Sequence, residues 1–246
     1  MQKRILSILT VFAMMITILP DVVLASGGSG TASDPYKIST AAELEGIGDG
    51  AAGTYYLLEN DINVDRSFKT IESFKGILNG NGKKITGIDT YTEVTYDDSS
   101  GKLVKTTSGA LFGTIEAAAV IYNLTLDNPK FSDLHKNIPE NKGGYQHYYR
   151  GILAVTNRGL IDSLTVNNAD IKATAHRDIS TCESTYTAHN FGGILYENTG
   201  KLINSSISGN LNIADGHHMA GVAVINRGTI ANMRSSINVI LNANSG

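Results

Sequence analysis

Gly151 to Val166 reads GILAVTNRGLIDSLTV, and the chain repeats it. It returns as GGILYENTGKLINSSI from Gly192 to Ile207 and as AGVAVINRGTIANM from Ala220 to Met233. An earlier, blurred copy, GALFGTIEAAAVIYNLTL, runs from Gly109 to Leu126. Each copy has a small residue, an apolar run and a second apolar run with Asn or Ser inside it. An Asn-x-Gly turn separates the runs in all but the first copy. A unit this short cannot bury its own apolar face, so several copies must stack on one another. Short aliphatic and β-branched runs, punctuated by 26 Gly and abundant Asn, favour strands over helices.

The N-terminus stands apart from this pattern. Lys3 and Arg4 precede an apolar run from Ile5 to Leu19, Pro20 and Asp21 break it, and Val23-Leu24-Ala25 offers a small-residue cleavage pattern. Residues 1–25 are therefore expected to be a cleaved secretory signal peptide, since the run is too short and too soon broken to span a membrane. Losing Lys3, Arg4 and Asp21 takes the net charge from −3 to −4, which argues against a nucleic-acid or anionic-membrane partner. The remainder, about 220 residues, is enough for one domain with a sizeable core. Cys182 is the single cysteine, so no intrachain disulfide can form. Nothing adjacent to it favours a thiolate.

After a flexible lead, 26–33, the domain is expected to fill residues 34–246. Tyr36 and Ile38 read as a short strand. Thr40-Ala41-Ala42-Glu43 fits a capping box, with Leu44 and Ile47 at helical spacing, which predicts a short amphipathic helix over 41–47. Its expected task is to cover the first open edge of the stack. Tyr55–Leu58 and Asp61–Val64 read as strands. The stretch from Phe74 to Ile88 sets two strands about an Asn-Gly-Asn-Gly corner, where positive φ comes cheaply.

From Gly30 to Ile88 the residues GTASDPYKISTAAEL, YYLLENDINV and FKGILNGNGKKITGI resemble the opening of bacterial cell-surface proteins with GLUG repeats. The later copies, starting at Gly109, Gly151, Gly192 and Ala220, are GLUG-like. The resemblance covers most of the chain after residue 25. It implies an all-β fold, a right-handed parallel β-helix (solenoid) of the pectate-lyase-like superfamily, with a short N-terminal capping helix and hairpin or loop insertions. Such repeats occur in adhesins, in large surface proteins and beside the peptidase domains of immunoglobulin-cleaving enzymes. The resemblance thus speaks to architecture more than to chemistry.

Three polar insertions separate the copies: 89–108, read as a protruding hairpin, 127–150 and 167–191. Ile121, Ile161, Leu202 and Ile230 are taken as equivalent, at spacings of 40, 41 and 28 residues. The shortest matches one turn of the stack, and the longer two allow either an insertion or a second weak turn. In such a stack, with a repeat of about 4.8 Å, those four residues form one apolar ladder. Leu124, Leu164 and Met233 form another. Asn157, Asn198 and Asn226 fall in one corner column, where stacked amides can bond to each other. Turn and ladder together account for these Asn residues without a ligand.

All six histidines lie beyond residue 130. Counting back from the corner asparagines places Tyr148, His189 and His217 at one position. Tyr149, Asn190 and His218 come next, then Arg150, Phe191 and Met219. The candidate ligand strip is therefore Tyr148, Tyr149, Arg150, His189, His217 and His218, groups suited to stacking on or hydrogen-bonding a sugar or peptide. Imidazole also suits zinc or copper, but no carboxylate or Cys completes a set, so no metal and no cofactor is assigned. Catalytic motifs are missing: His-Glu-x-x-His, Gly-x-Ser-x-Gly and Gly-Lys-Ser/Thr do not occur. Asp162, Asp170, Asp178 and Asp215 fall at different repeat positions, so no carboxylate pair is set up for glycosidic cleavage. Arg158 and Arg227 share a position that Thr199 interrupts, and they read as solvated turn residues.

The function expected is that of a secreted or cell-surface bacterial scaffold, adhesin-like and non-catalytic. Its partner would be an extracellular glycan or a host or cell-surface protein, with no nucleic acid and no membrane span after signal cleavage. A β-helical polysaccharide lyase or glycoside hydrolase is the alternative, and a non-catalytic flank of a large surface peptidase is the third reading. The strand-like end, Ile237 to Leu241, reaches the last residues uncapped, which raises the expectation of a longer protein.

Overall fold

The computed structural model describes residues 27–97, 99–100, 102–136, 146–173, 187–214 and 218–242. Residues 1–25, expected to be a signal peptide, Cys182 and His217 lie outside them. Within them the chain is all β, apart from one helical segment, and nearly every strand pair is parallel.

Four sheets are visited in a fixed order. A seven-stranded sheet runs through Tyr36–Ile38, Tyr55–Leu58, Ile77–Asn79, Val120–Tyr122, Leu160–Asp162, Lys201–Ile203 and Thr229–Ala231. A five-stranded sheet runs through Ile71–Phe74, Phe112–Ile115, Ala154–Asn157, Leu195–Asn198 and Ala223–Asn226. A three-stranded sheet holds Gln146–Gly151, Thr187–Gly192 and His218–Ala220. The remaining strands form a larger sheet, including Thr125–Asp127, Thr165–Ala173, Ser206–Ala214 and Arg234–Asn242. Each later copy enters by the three-stranded sheet, then crosses the five-stranded, the seven-stranded and the large sheet in turn.

The register settles the spacing question. Ile121 pairs with Ile161, Ile161 with Leu202 and Leu202 with Ile230. Each interval, short or long, is therefore one step of the stack. The extra residues in the longer intervals fall mostly at 137–145 and 174–186, outside the described residues. Lys130–Lys136 pairs with Asp89–Asp97, so a stretch read as a polar insertion begins as sheet. Asp89–Asp97 turns back on Lys102–Ser108 as the expected antiparallel hairpin.

The core is one apolar cluster. Ile121, Ile161 and Leu202 are fully buried, while Ile230 is half-buried. Leu124 and Leu164 are buried in the second ladder, and Ser205 takes the place between Leu164 and Met233. Its hydroxyl donates to the Ile203 carbonyl at 2.7 Å and accepts from the Leu164 N–H at 3.1 Å, so a polar atom in an apolar column stays satisfied. An aromatic chain runs through the N-terminal layers, with ring centroids 6.0 Å apart for Tyr36–Tyr56, 6.2 Å for Tyr56–Phe74 and 5.2 Å for Phe74–Phe112.

Two kinds of corner hold this layout. At the Asn-x-Gly corner, the Asn157 Nδ2 donates to Asn198 Oδ1 at 2.8 Å, and Asn198 Nδ2 to Asn226 Oδ1 at 2.8 Å. The glycine two residues on is required by close approach: a Cβ on Gly200 would lie 2.2 Å from the Gly159 carbonyl oxygen, and one on Gly228 2.1 Å from that of Gly200. Positive φ belongs to the next corner, at Asn123 (53°), Ser163 (55°), Asn204 (51°) and Asn232 (52°). Short polar side chains occupy this corner, and two of the Asn amides bond from layer to layer. Asn204 Nδ2 reaches Asp162 Oδ1 and Asn232 Nδ2 reaches Asn204 Oδ1, each at 3.0 Å. The Asn-Gly-Asn-Gly stretch behaves likewise, with Asn81 at φ 53° and Gly82 at 68°. It turns the chain from one sheet into another without reversing it.

The helix spans Ala41–Gly46 and continues as a 3-10 turn, Ile47–Asp49. Thr40 and Glu43 form the capping box: Glu43 N–H donates to Thr40 Oγ1 at 3.2 Å, and Thr40 N–H to Glu43 Oε2 at 3.0 Å. Leu44 and Ile47 are buried. A Cβ on Gly48 would stand 3.0 Å from the Ile71 side chain, so the helical segment lies against the outer strand of the five-stranded sheet. Residues 27–34 are bent back on themselves, with the Ser29 N–H donating to the Asp34 carbonyl at 2.9 Å and the Lys37 N–H to the Gly27 carbonyl at 3.0 Å.

Candidate functional site

The three-stranded sheet carries the strip singled out from the sequence. Its register pairs Tyr148 with His189, Tyr149 with Asn190 and Arg150 with Phe191. The next strand adds His218 beside Asn190 and Met219 beside Phe191. The backbone thus brings five of the six candidate residues into adjacent rows, and His217 lies outside the described residues. The side chains of Tyr148, His189 and His218 are also outside what the structure describes.

Alternation along the strand divides the rest. Tyr149 faces solvent at 47% exposure, whereas Arg150 is 8% exposed and shares its row with the fully buried Phe191. Phe191 in turn packs on Phe131, with ring centroids 4.4 Å apart. Arg150 therefore belongs to the inward side of this sheet and not to the outward strip.

Tyr149 packs across the junction with the five-stranded sheet. Its ring centroid lies 4.7 Å from that of Tyr196, the planes inclined at 45°. Tyr196 is half-buried, and its phenol is pushed above the ordinary value, chiefly by burial and then by Tyr149, with Arg227 pulling the other way. Glu197, the next residue, is ion-paired with Arg227 from the following repeat. Two repeats earlier, Arg158 reaches Glu116 at 3.3 Å, and the other oxygen of Glu116 accepts from the Ser73 hydroxyl at 3.0 Å. The corner arginines are indeed exposed, but each answers a carboxylate on the neighbouring repeat. Tyr196, Glu197 and Glu116 were not picked out from the sequence. The signal was available, because Tyr196 and Glu197 are the two residues immediately before a corner asparagine.

A concavity of about 210 Å³ lies beside the helix and is lined by Ala41, Ala42, Glu45, Asn63, Asp65, Ser67 and Phe68. Its carboxylates are occupied by the fold. Glu45 accepts from the Lys69 N–H at 2.9 Å, and Asp65 accepts from Ser67 N–H at 2.7 Å. Among the described residues no cluster of three or more His, Cys, Asp or Glu is placed to hold a metal ion. No helix among them is long and apolar enough to cross a membrane.

No family model matches the chain, and no curated protein does. One solved structure resembles it, described as a "putative immunoglobulin A1 protease from Bacteroides ovatus". The match covers 89% of this chain and 80% of that one, at 13% identity and a TM-score of 0.38. A likeness this slight carries no argument about fold or activity.

Proposed function

We propose that this chain is a right-handed parallel β-helix of the GLUG-repeat, cell-surface type, and that it acts as a secreted, adhesin-like scaffold without catalysis. On this reading the stacked repeats form a rigid post, and the outward rows of the three- and five-stranded sheets bind an extracellular glycan or a surface protein. The observation that carries the reading is the exposed Tyr149 ring set against Tyr196, beside the Glu197–Arg227 pair, on a wall of parallel strands in continuous register. Rigid aromatic groups with charged neighbours are the usual anchors of a binding surface. The outward carboxylates fit display better than proton transfer, because Glu116 and Glu197 are each held by an arginine.

The test is a binding screen of the purified chain against immobilised glycans and extracellular-matrix proteins, run beside reducing-sugar and unsaturated-product assays. Saturable binding with no turnover is the expected result. Turnover lost on mutating a single carboxylate would replace the scaffold reading with an enzymatic one.

A further inference from the structure

Tyr196 and Glu197 break the repeat in which they sit. The register pairs Leu195 with Ala154 before it and Ala223 after it, so Val155 and Val224 stand where Tyr196 stands. In the adjoining position Glu197 is flanked by Thr156 and Ile225. On the three-stranded sheet the residues in register with Tyr149 are Asn190 and His218, neither of them a phenol. The stack tolerates valine, threonine or isoleucine at these places, so packing alone does not call for two tyrosines and a glutamate. They meet at one place on the wall, where Tyr149, then Tyr196 and Glu197, then Arg227 come from three successive repeats.

Two chemical features follow from this arrangement. The first is a ring face. Tyr149 is 47% exposed and is steadied by the 4.7 Å contact with Tyr196, so it offers a flat apolar surface that loses little freedom on binding. The second is a paired charge. Glu197 and Arg227 cancel each other, with side-chain exposures of 22% and 64%. Together they present an acceptor and a donor side by side. An anionic ligand would have to compete with Glu197 for the guanidinium. A neutral ligand with adjacent hydroxyls need not: one hydroxyl donates to the carboxylate while its neighbour accepts from the guanidinium, and both bonds are charge-assisted.

We infer that Tyr149, Tyr196, Glu197 and Arg227 form a subsite for one neutral pyranose unit of a glycan. The C–H face of the sugar lies on the Tyr149 ring, and two adjacent hydroxyls engage Glu197 and Arg227. This deepens the scaffold reading and rests on it, since it names the ligand class of the same surface.

The experiment uses the full chain and titrates cellohexaose, mannohexaose and hexagalacturonate, followed by calorimetry and by NMR of labelled tyrosines. Binding of a neutral hexasaccharide at least about tenfold tighter than hexagalacturonate is expected, with about a tenfold loss in Tyr149→Ala and retention in Tyr149→Phe. Glu197→Gln should weaken the neutral sugar and narrow its advantage over the uronate. Unchanged circular dichroism and melting temperature in the variants separate these effects from misfolding. Equal affinity in wild type and Tyr149→Ala overturns the inference, as does a preference for the uronate. Failure of all three sugars alongside saturable capture of a matrix protein overturns it too, while leaving the scaffold reading intact. If neither glycan nor protein binds, both fall.

Discussion

Asn157 donates its side-chain amide to Asn198 across 2.8 Å, and both side chains are completely buried. Asn157 also serves its own corner, its Oδ1 accepting from the Gly159 N–H at 3.1 Å, while Asn198 Nδ2 reaches the Thr229 carbonyl of the next repeat at 3.3 Å. Replacing Asn198 by Ala leaves buried polar groups without their partner, at about 1–3 kcal/mol each. Urea unfolding should therefore show a loss of about 2–4 kcal/mol. The same change at Asn226, which is exposed, should cost well under half as much.

Phe74 is fully buried between the rings of Tyr56 and Phe112. Phe74→Ala should destabilise by about 3–5 kcal/mol through lost contact and a residual cavity. Phe74→Leu should recover more than half of that, read from the same urea transition.

Asp65 titrates below the ordinary carboxylate value because the Ser67 hydroxyl and N–H both donate to it. The sign is that of a depressed acid. The turn gains from the charged form above the unfolded value of 3.8 and loses that gain as pH falls through the lower, folded value. A side-chain NMR titration should show the Asp65 midpoint rising toward the ordinary value in Ser67→Ala.

Tyr196 behaves in the opposite sense, its neutral phenol being favoured by burial. The unfolded chain ionises first near 10, so this group withdraws stability as pH climbs past that value. Tyr149→Ala removes cover and a neighbouring phenol, so the Tyr196 midpoint should drop. Arg227→Ala removes the cation and should raise it. Labelled-tyrosine NMR reads both.

The apolar ladder and the buried amide column could be read from the sequence because the ladder repeats at one position of every copy and the amides at one position of all but the first. What escaped were residues whose meaning depends on a neighbour from another layer. The strand Ile71–Phe74 has no Asn-x-Gly beside it, so nothing in the sequence tied it to the later copies. Lys130–Lys136 reads as polar and insertion-like, yet its backbone finds Asp89–Asp97. Arg150 directly follows two tyrosines in sequence and so looked like part of one strip, but the pleat turns it inward. The Tyr149–Tyr196 contact spans two strands in two sheets, and counting from a single corner could not join them.

The glycine column at Gly159, Gly200 and Gly228 brings successive corners so close that a methyl group has no room. A chain built this way can gain or lose length only in quanta. Duplicating or excising a whole repeat leaves every glycine over a glycine and every buried amide over an amide, whereas removing one or two residues shifts all the columns downstream at once. Gene-level tinkering with such a protein should therefore be tolerated in whole-repeat steps and in the surface excursions, and should be purged almost everywhere else.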